Sequence, residues 1–223
     1  MSVWPAIWLT LKLAAVTTVI LMIIAVPLGW WLATTKARTR PLFEAITALP
    51  LVLPPTVLGF YLLVLMRPDA PLGGLWVTVT GSTLAFSFSG LVLASVVYSL
   101  PFAVQPMQTA FAAVPQSALD AARTLGASSR DALFTVALPL ARRGFLTGMV
   151  LSFAHTVGEF GVVLMVGGNI PGKTRVISIE IFNAVETLDY ATAHVLSAWL
   201  LMASLAVLTL VYLLNGRGGA RVG

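Results

Sequence analysis

The sequence predicts an all-α, polytopic membrane bundle of about five transmembrane helices. Charged residues occupy only 9% of the 223 positions and apolar residues 58%, whereas a soluble domain carries about 25% charged residues. Mean hydropathy is +0.96. The few charges bracket uncharged runs of about 20 residues, the length of one helix across a bilayer core. These observations exclude a soluble globular protein, a disordered chain and a nucleic-acid-binding domain. The net charge of +5, from thirteen Lys and Arg against eight Asp and Glu, therefore reads as membrane orientation rather than DNA affinity. With no cysteine, disulfide, Cys-zinc and thiol redox chemistry are excluded.

The elements follow from the charges. Between Lys12 and Lys36 lie 23 uncharged residues, a first span at about 11–35. Trp4 and Trp8 stand at one end and Trp30 and Trp31 at the other, as an aromatic belt at both interfaces requires. A cleaved signal peptide is disfavoured because the run is too long and no basic segment precedes it. The 22 uncharged residues between Glu44 and Arg67 give a second span at about 45–66. Its Pro50, Pro54, Pro55 and Gly59 would break a helix in water, but neighbours in a bundle can satisfy the freed backbone groups. A Pro/Gly turn (Pro71, Gly73, Gly74) then precedes a third span at about 83–105. A fourth runs over about 145–167 and carries one acid, Glu159. A fifth occupies about 191–214. The membrane domain thus covers 8–214, followed by a short basic tail, 215–223.

Five spans place the termini on opposite sides. One set of loops holds Lys36, Arg38, Arg40, Arg123, Arg130, Arg142, Arg143, Arg217 and Arg221; the other holds only Lys12, Arg67, Lys173 and Arg175. The asymmetry predicts an N-terminus outside and a C-terminus in the cytoplasm.

The polar loop over about 108–143 is too long for a turn and reads as two short helices. Pro115 suits the start of the first, with Asp120 early in it, where a negative charge meets the helix dipole favourably. Gly126 suits its stop. Ser128 with Asp131 makes a capping-box-like start for the second, and Pro139 interrupts that one. On physics alone, both an interfacial connector and a docking surface fit this loop.

The letters are more specific. Asp120-Ala121-Ala122, three residues, Gly126, nine residues, Val136, one residue, Leu138-Pro139 resembles the EAA signature of ABC-importer permeases: EAA, three residues, G, nine residues, I, one residue, LP. Asp120 replaces Glu and Val136 replaces Ile; the spacing is intact. The resemblance extends over nearly the whole chain. Leu49-Pro50-Leu51-Val52-Leu53-Pro54-Pro55-Thr56-Val57, Ala121-Ala122-Arg123-Thr124-Leu125-Gly126-Ala127, Gly158-Glu159-Phe160-Gly161 and Gly167-Gly168-Asn169-Ile170-Pro171-Gly172-Lys173-Thr174 are similar to the molybdate branch. Sulfate and thiosulfate permeases share several of these motifs. The resemblance implies a type I importer permease fold whose loop carries a coupling helix. Asp120, Ala121, Ala122, Gly126, Leu138 and Pro139 would then be the ATPase-coupling residues.

Gly167, four residues, Gly172-Lys173-Thr174 also fits a P-loop letter for letter. It is rejected: a phosphate-binding P-loop follows a strand and opens a helix, whereas this one follows a membrane span and falls outside, away from cytoplasmic ATP. A glycine-rich outer loop, with Lys173 and Arg175 either solvated or attracting an anion or an acidic partner, is the alternative. His155 and Glu159 are spaced to share one face of a helix. An intramembrane acid suggests function by default; a structural or gating role is favoured over a proton relay. His194 is the only other histidine, so no zinc triad forms, and no metal or cofactor is expected. Met22, Met66, Met149, Met165 and Met202 read as packing, and Gly144 with Gly148 as close helix contact.

The implied cargo constrains the mechanism. Importing a dianion against an inside-negative potential costs roughly 4.6 kcal/mol per 100 mV. The energy must come from a partner, because the chain has no nucleotide site. Few cations lie inside the spans, so hydroxyls and amides would pass the anion without trapping it. Ser87, Ser89, Ser152, Thr156 and Asn169, together with His155 and Glu159, are the translocation or gate candidates. One five-span subunit is too thin to enclose a path. The resemblance therefore implies a homodimer in the lipid of a bacterial inner membrane, two cytoplasmic ABC ATPase subunits and a periplasmic molybdate-binding protein, carrying molybdate or tungstate. The rivals are a sulfate or thiosulfate permease and a proton-coupled secondary transporter using His155 and Glu159.

Overall fold

The computed structural model describes residues 3–216. Arg217, Arg221 and most of the predicted tail lie outside the described residues. Twelve α-helical segments and one π-helical turn account for nearly all of the described chain, and no strand occurs among the described residues. Helix α1 (Trp4–Thr34), α5 (Phe88–Ala112) and α9 (Arg142–Gly158) pack on one another and form the centre. Small residues set that packing. A Cβ on Gly29 would lie 2.9 Å from Met107 Cβ, and one on Gly144 would lie 2.2 Å from Ala110 Cβ. Gly148 meets the Ala103 carbonyl at 3.1 Å on the same scale. The Gly144/Gly148 pair therefore does seat α9 closely against α5.

The second apolar run is not one straight span. It forms α2 (Arg40–Val52) and α3 (Pro55–Leu65), bent by 112°. The cause is local. Leu53 precedes Pro54 and is pushed to ψ 135°, and Pro54 precedes Pro55 and also takes ψ 135°, as clash with the following proline ring demands. Pro55 then opens α3, where a missing N–H does no harm. The Pro71/Gly73/Gly74 segment is likewise not a turn but the start of a helix, α4 (Pro71–Thr80). Gly73 sits so close to the Arg67 carbonyl that a Cβ would lie 2.1 Å from its oxygen.

The third span starts later than 83 and runs further into the loop. Ser87 caps α5, accepting from Gly90 N at 3.1 Å and donating to Leu84 O at 2.6 Å. The loop after α5 holds α6 (Gln116–Thr124), α7 (Ser129–Ala132), a π-helical turn (Leu133–Ala137) and α8 (Leu138–Leu140). Asp120 is the fifth residue of α6 rather than an early one, because Pro115 occupies the N-cap and not the interior. At Ala141 the chain bends by 78° into α9.

The fourth run is also broken. Helix α9 stops at Gly158; Glu159 is extended (φ −67°, ψ 134°), and α10 (Gly161–Gly167) follows. Consequently His155 and Glu159 do not share one helical face. Helix α11 (Ile177–Glu186), absent from the sequence reading, fastens this break: Ser178 Oγ donates to the Glu159 carbonyl at 2.5 Å. It is held to α1 through Ile177 N, which donates to Thr10 Oγ1 at 2.8 Å. Helix α12 (Tyr190–Gly216) leans mainly on α11 and α9. Asp189 precedes it and accepts from Thr192 N at 3.1 Å, and bonding to Thr192 holds its carboxyl below the usual aspartate range. Among the described residues, three single helices are long and apolar enough to cross a membrane, and up to five spans result if each bent pair counts as one.

Candidate coupling loop and translocation site

Helix α6 is amphipathic and almost entirely exposed except for Leu119, 4% exposed. Leu119 enters the main core with Leu133, Ala137 and Ala141 from the next turns, Phe111 and Val114 from the end of α5 and beyond, and Leu32 from α1. This anchor ties the exposed helix to the ends of two spans. The sequence reading missed it, although a lone leucine in Gln-Ser-Ala-Leu-Asp is the only large apolar side chain there.

The stop of α6 is a Schellman motif. Ala127 N bonds Ala122 O at 3.0 Å and Gly126 N bonds Arg123 O at 2.9 Å, which satisfies carbonyls the helix leaves open. The motif requires a left-handed residue, and Gly126 has φ +86° with nothing within 4 Å of where a Cβ would stand. Its glycine thus serves the backbone and not a close approach. Asp120 accepts from Gln116 Nε2 and from Arg123 Nη1, each at 2.9 Å. The pair is exposed and holds the helix face in register; surface pairs of this kind add little stability. Ala121 and Ala122 leave that face low, and Leu125 at its end is 89% exposed.

Ser128 and Asp131 form the expected capping box. Asp131 N donates to Ser128 Oγ at 3.2 Å and Ser128 N donates to Asp131 Oδ2 at 3.1 Å. Leu138 and Pro139 follow the π-helical turn. Leu138 packs partly against the main core and Pro139 stands at the first helical turn of α8, directly before the bend into α9. The EAA-like residues therefore occupy one rigid, exposed bracket joined at both ends to membrane helices.

Inside the bundle, the predicted pathway residues divide. Ser87 is spent on its cap, and Ser89 is half-buried in the first turn of α5. Ser152, Thr156 and His155 gather around Ser99 of α5. Thr156 Oγ1 donates to Ser152 O at 2.9 Å, Ser99 Oγ lies 3.1 Å from Thr156 Oγ1, and His155 Nδ1 lies 2.9 Å from Ser99 Oγ. Each hydroxyl has one proton. Thr156 has given its own to Ser152 O, so Ser99 supplies the Thr156 bond and His155 Nδ1–H supplies the Ser99 bond. The ring is clamped between Phe102 at 4.0 Å and Tyr98 at 4.8 Å between centroids. Glu159 is 3% exposed, and among the described residues neither carboxylate oxygen has a hydrogen-bond partner. Among the described residues, the hydroxyls of Thr17, Thr18, Ser95 and Ser152 are likewise buried without partners. Buried polar side chains are thus present on each of the three central helices, α1, α5 and α9.

Asn169 lies apart, on an exposed loop. It bonds Asn183 of α11 and accepts from Arg175, which pairs with Glu180 at 3.4 Å. The P-loop-like letters form a closed turn: Thr174 Oγ1 donates to Gly167 O at 2.7 Å and Ile170 O accepts from Lys173, Thr174 and Arg175 N. The one hydroxyl that would serve a nucleotide is turned into the loop itself. Of the methionines, Met22 and Met66 are buried, while Met202 is 61% exposed on α12.

Residues 25–217 match the family model of the binding-protein-dependent transport system inner membrane component. The chain belongs to this family. This permease is 55% identical to the molybdenum transport system permease protein ModB of Azotobacter vinelandii, over 93% of this chain and 92% of that protein. It is 36% identical to the protein of the same name from Escherichia coli K12, over 82% and 80% of the two chains. The sulfate transport system permease protein CysT of the same bacterium is 31% identical over 96% of this chain and 76% of that one. The fold of this permease is similar to that of a bacterial alginate ABC transporter in complex with an alginate pentasaccharide-bound periplasmic protein (TM-score 0.73, 14% identity, 96% of this chain and 78% of that chain). The permease is thus the inner-membrane component of an ATP-driven importer.

Proposed function

We propose that this permease carries molybdate, with tungstate as a chemical equivalent, into the cytoplasm as part of an ABC importer. The observation that carries the substrate is the 55% identity to a molybdenum permease over nearly all of both chains. In this reading two copies form the path between them, two ATPase subunits bind the bracket over 108–143, and a periplasmic molybdate-binding protein delivers the anion. The N-terminus lies outside and the C-terminus inside, as the loop cations favour. The chain itself performs no catalysis; hydrolysis belongs to the ATPase.

The bracket supports the coupling role of Asp120, Ala121, Ala122, Gly126, Leu138 and Pro139. A helix that is exposed on one side and anchored by Leu119 on the other moves as a lever with the ends of α1 and α5. Leu125, Phe134 and Leu140 offer exposed apolar contacts for the partner. Glu159 and the Ser99–His155–Thr156 cluster serve as hinge and packing elements at the broken fourth span, and Ser87 as a cap.

Sulfate is the second reading, favoured by the 31% identity to a sulfate permease. Radiolabelled molybdate uptake by the reconstituted complex, competed with sulfate, separates them. Uptake that resists excess sulfate and yields to tungstate supports molybdate; equal competition by sulfate overturns it.

A further inference from the structure

A groove of about 560 Å³ runs between α2, α5 and α9, lined among others by Leu51, Phe102, Gln105, Thr109, Gly144 and Thr147. None of its lining residues is charged. Along α5, Tyr98, Phe102, Gln105 and Thr109 are spaced four, three and four apart, so they form one stripe on the helix. Tyr98 and Phe102 are the rings that clamp His155. Gln105 and Thr109 continue the stripe, and both are exposed.

Gln105 closes the third span as the charges delimit it, 83–105, and Thr109 stands one helical turn further along α5, where the bundle meets the bracket. Among the described residues Gln105 makes no side-chain hydrogen bond, and Thr109 does not turn its hydroxyl back onto Gln105 O. Thr147 across the groove does so, donating to Arg143 O at 2.9 Å. Two adjacent donors are therefore unspent and face a groove rather than a neighbouring helix.

We propose that Gln105 and Thr109 form a neutral contact site for a tetrahedral oxyanion on its way through the permease. This rests on the transport reading above and adds residues to it. Neutral donors satisfy an anion's oxygens but provide no fixed cation to hold it, as conduction requires. The Phe102 ring at the end of the donors narrows the route beside His155.

The absence of native cysteine makes the test direct. Gln105→Cys, Thr109→Cys and, as a lipid-facing control, Leu201→Cys on α12 are introduced singly into the full complex in proteoliposomes. A membrane-impermeant methanethiosulfonate reacts only with hydrated thiolate, so labelling at 105 and 109 should run at least about tenfold faster than at 201. Millimolar molybdate should slow it. In uptake, Gln105→Leu and Thr109→Val should each lose about tenfold, with assembly intact. Gln105→Glu, equal in shape but negative, should lose more than Gln105→Leu. Labelling no faster than at 201, or no protection by the anion, overturns the site. So does uptake within twofold of wild type in both variants. Loss of assembly with slow labelling shows a dry interface between copies and also overturns it. Wild-type vesicles that accumulate no oxyanion would overturn the transport reading instead, whatever the labelling shows.

Discussion

Replacing Gly126 with alanine isolates the backbone requirement at the elbow of the bracket. The glycine has φ +86° and open space where a Cβ would stand, so no clash contributes. What remains is the intrinsic cost of a left-handed L-residue, about 1–2 kcal/mol. That cost falls on the two bonds of the Schellman motif, Ala127 N to Ala122 O and Gly126 N to Arg123 O. It corresponds to roughly a 5- to 30-fold shift toward a frayed elbow. If the bracket transmits motion as a rigid piece, binding-protein-stimulated ATP hydrolysis and uptake should fall by a comparable factor in Gly126→Ala. Thermal stability of the solubilised permease should change little, because the elbow lies outside the core. Gly126→Asn should recover most of the loss, since asparagine tolerates the left-handed region. Wild-type coupling in the alanine variant, or a loss that asparagine does not relieve, would show that the left-handed elbow is not what coupling needs.

Leu119→Ala removes the single buried anchor of α6 and should cost about 2–5 kcal/mol, seen as a lower unfolding temperature and as ATP hydrolysis that no longer drives uptake. Gly144→Ala places a Cβ 2.2 Å from Ala110 Cβ and 2.9 Å from Pro106 O. It should destabilise the α5–α9 contact by about 1–3 kcal/mol, and Ala110→Gly in the same chain should restore part of it by thermal denaturation. Ser128→Ala removes the acceptor for Asp131 N; the expected loss of about 0.5–2 kcal/mol should appear as faster amide exchange over residues 129–132, with the spans unchanged.

The fold class was legible because the spans obey one rule, the exclusion of charge from hydrocarbon, which composition reports directly. Gly126 and the Ser128–Asp131 box were legible for a similar reason: both are local, set by backbone geometry within six residues. The bends were less so. Pro54-Pro55 marks a break, but its 112° angle depends on α10 packing against α3, with Gly161 fitted to the Pro55 ring. The stop before Glu159 is likewise tertiary, tied to Ser178 nineteen residues later. Spacing alone put His155 and Glu159 on one face, and the helix ends between them. Helix α11 is only ten residues long, too short to stand out as a span, and its position is set by the burial of Ile177, Ile179 and Ala184. Leu119 and Gln105 are not legible in the sequence for opposite reasons: one is a buried side chain in a polar helix, the other a polar side chain in an apolar helix. Each becomes significant only once its surroundings are known.

In this mechanism the chain moves an oxyanion only when a separate ATPase works it. The direct measurement is radiolabelled molybdate accumulation in proteoliposomes, comparing the purified complex plus binding protein and ATP with the permease alone under an imposed pH gradient. Accumulation that requires ATP, the ATPase and the binding protein, with none in the permease alone, is the predicted result. Accumulation by the permease alone, driven by the pH gradient, would contradict it.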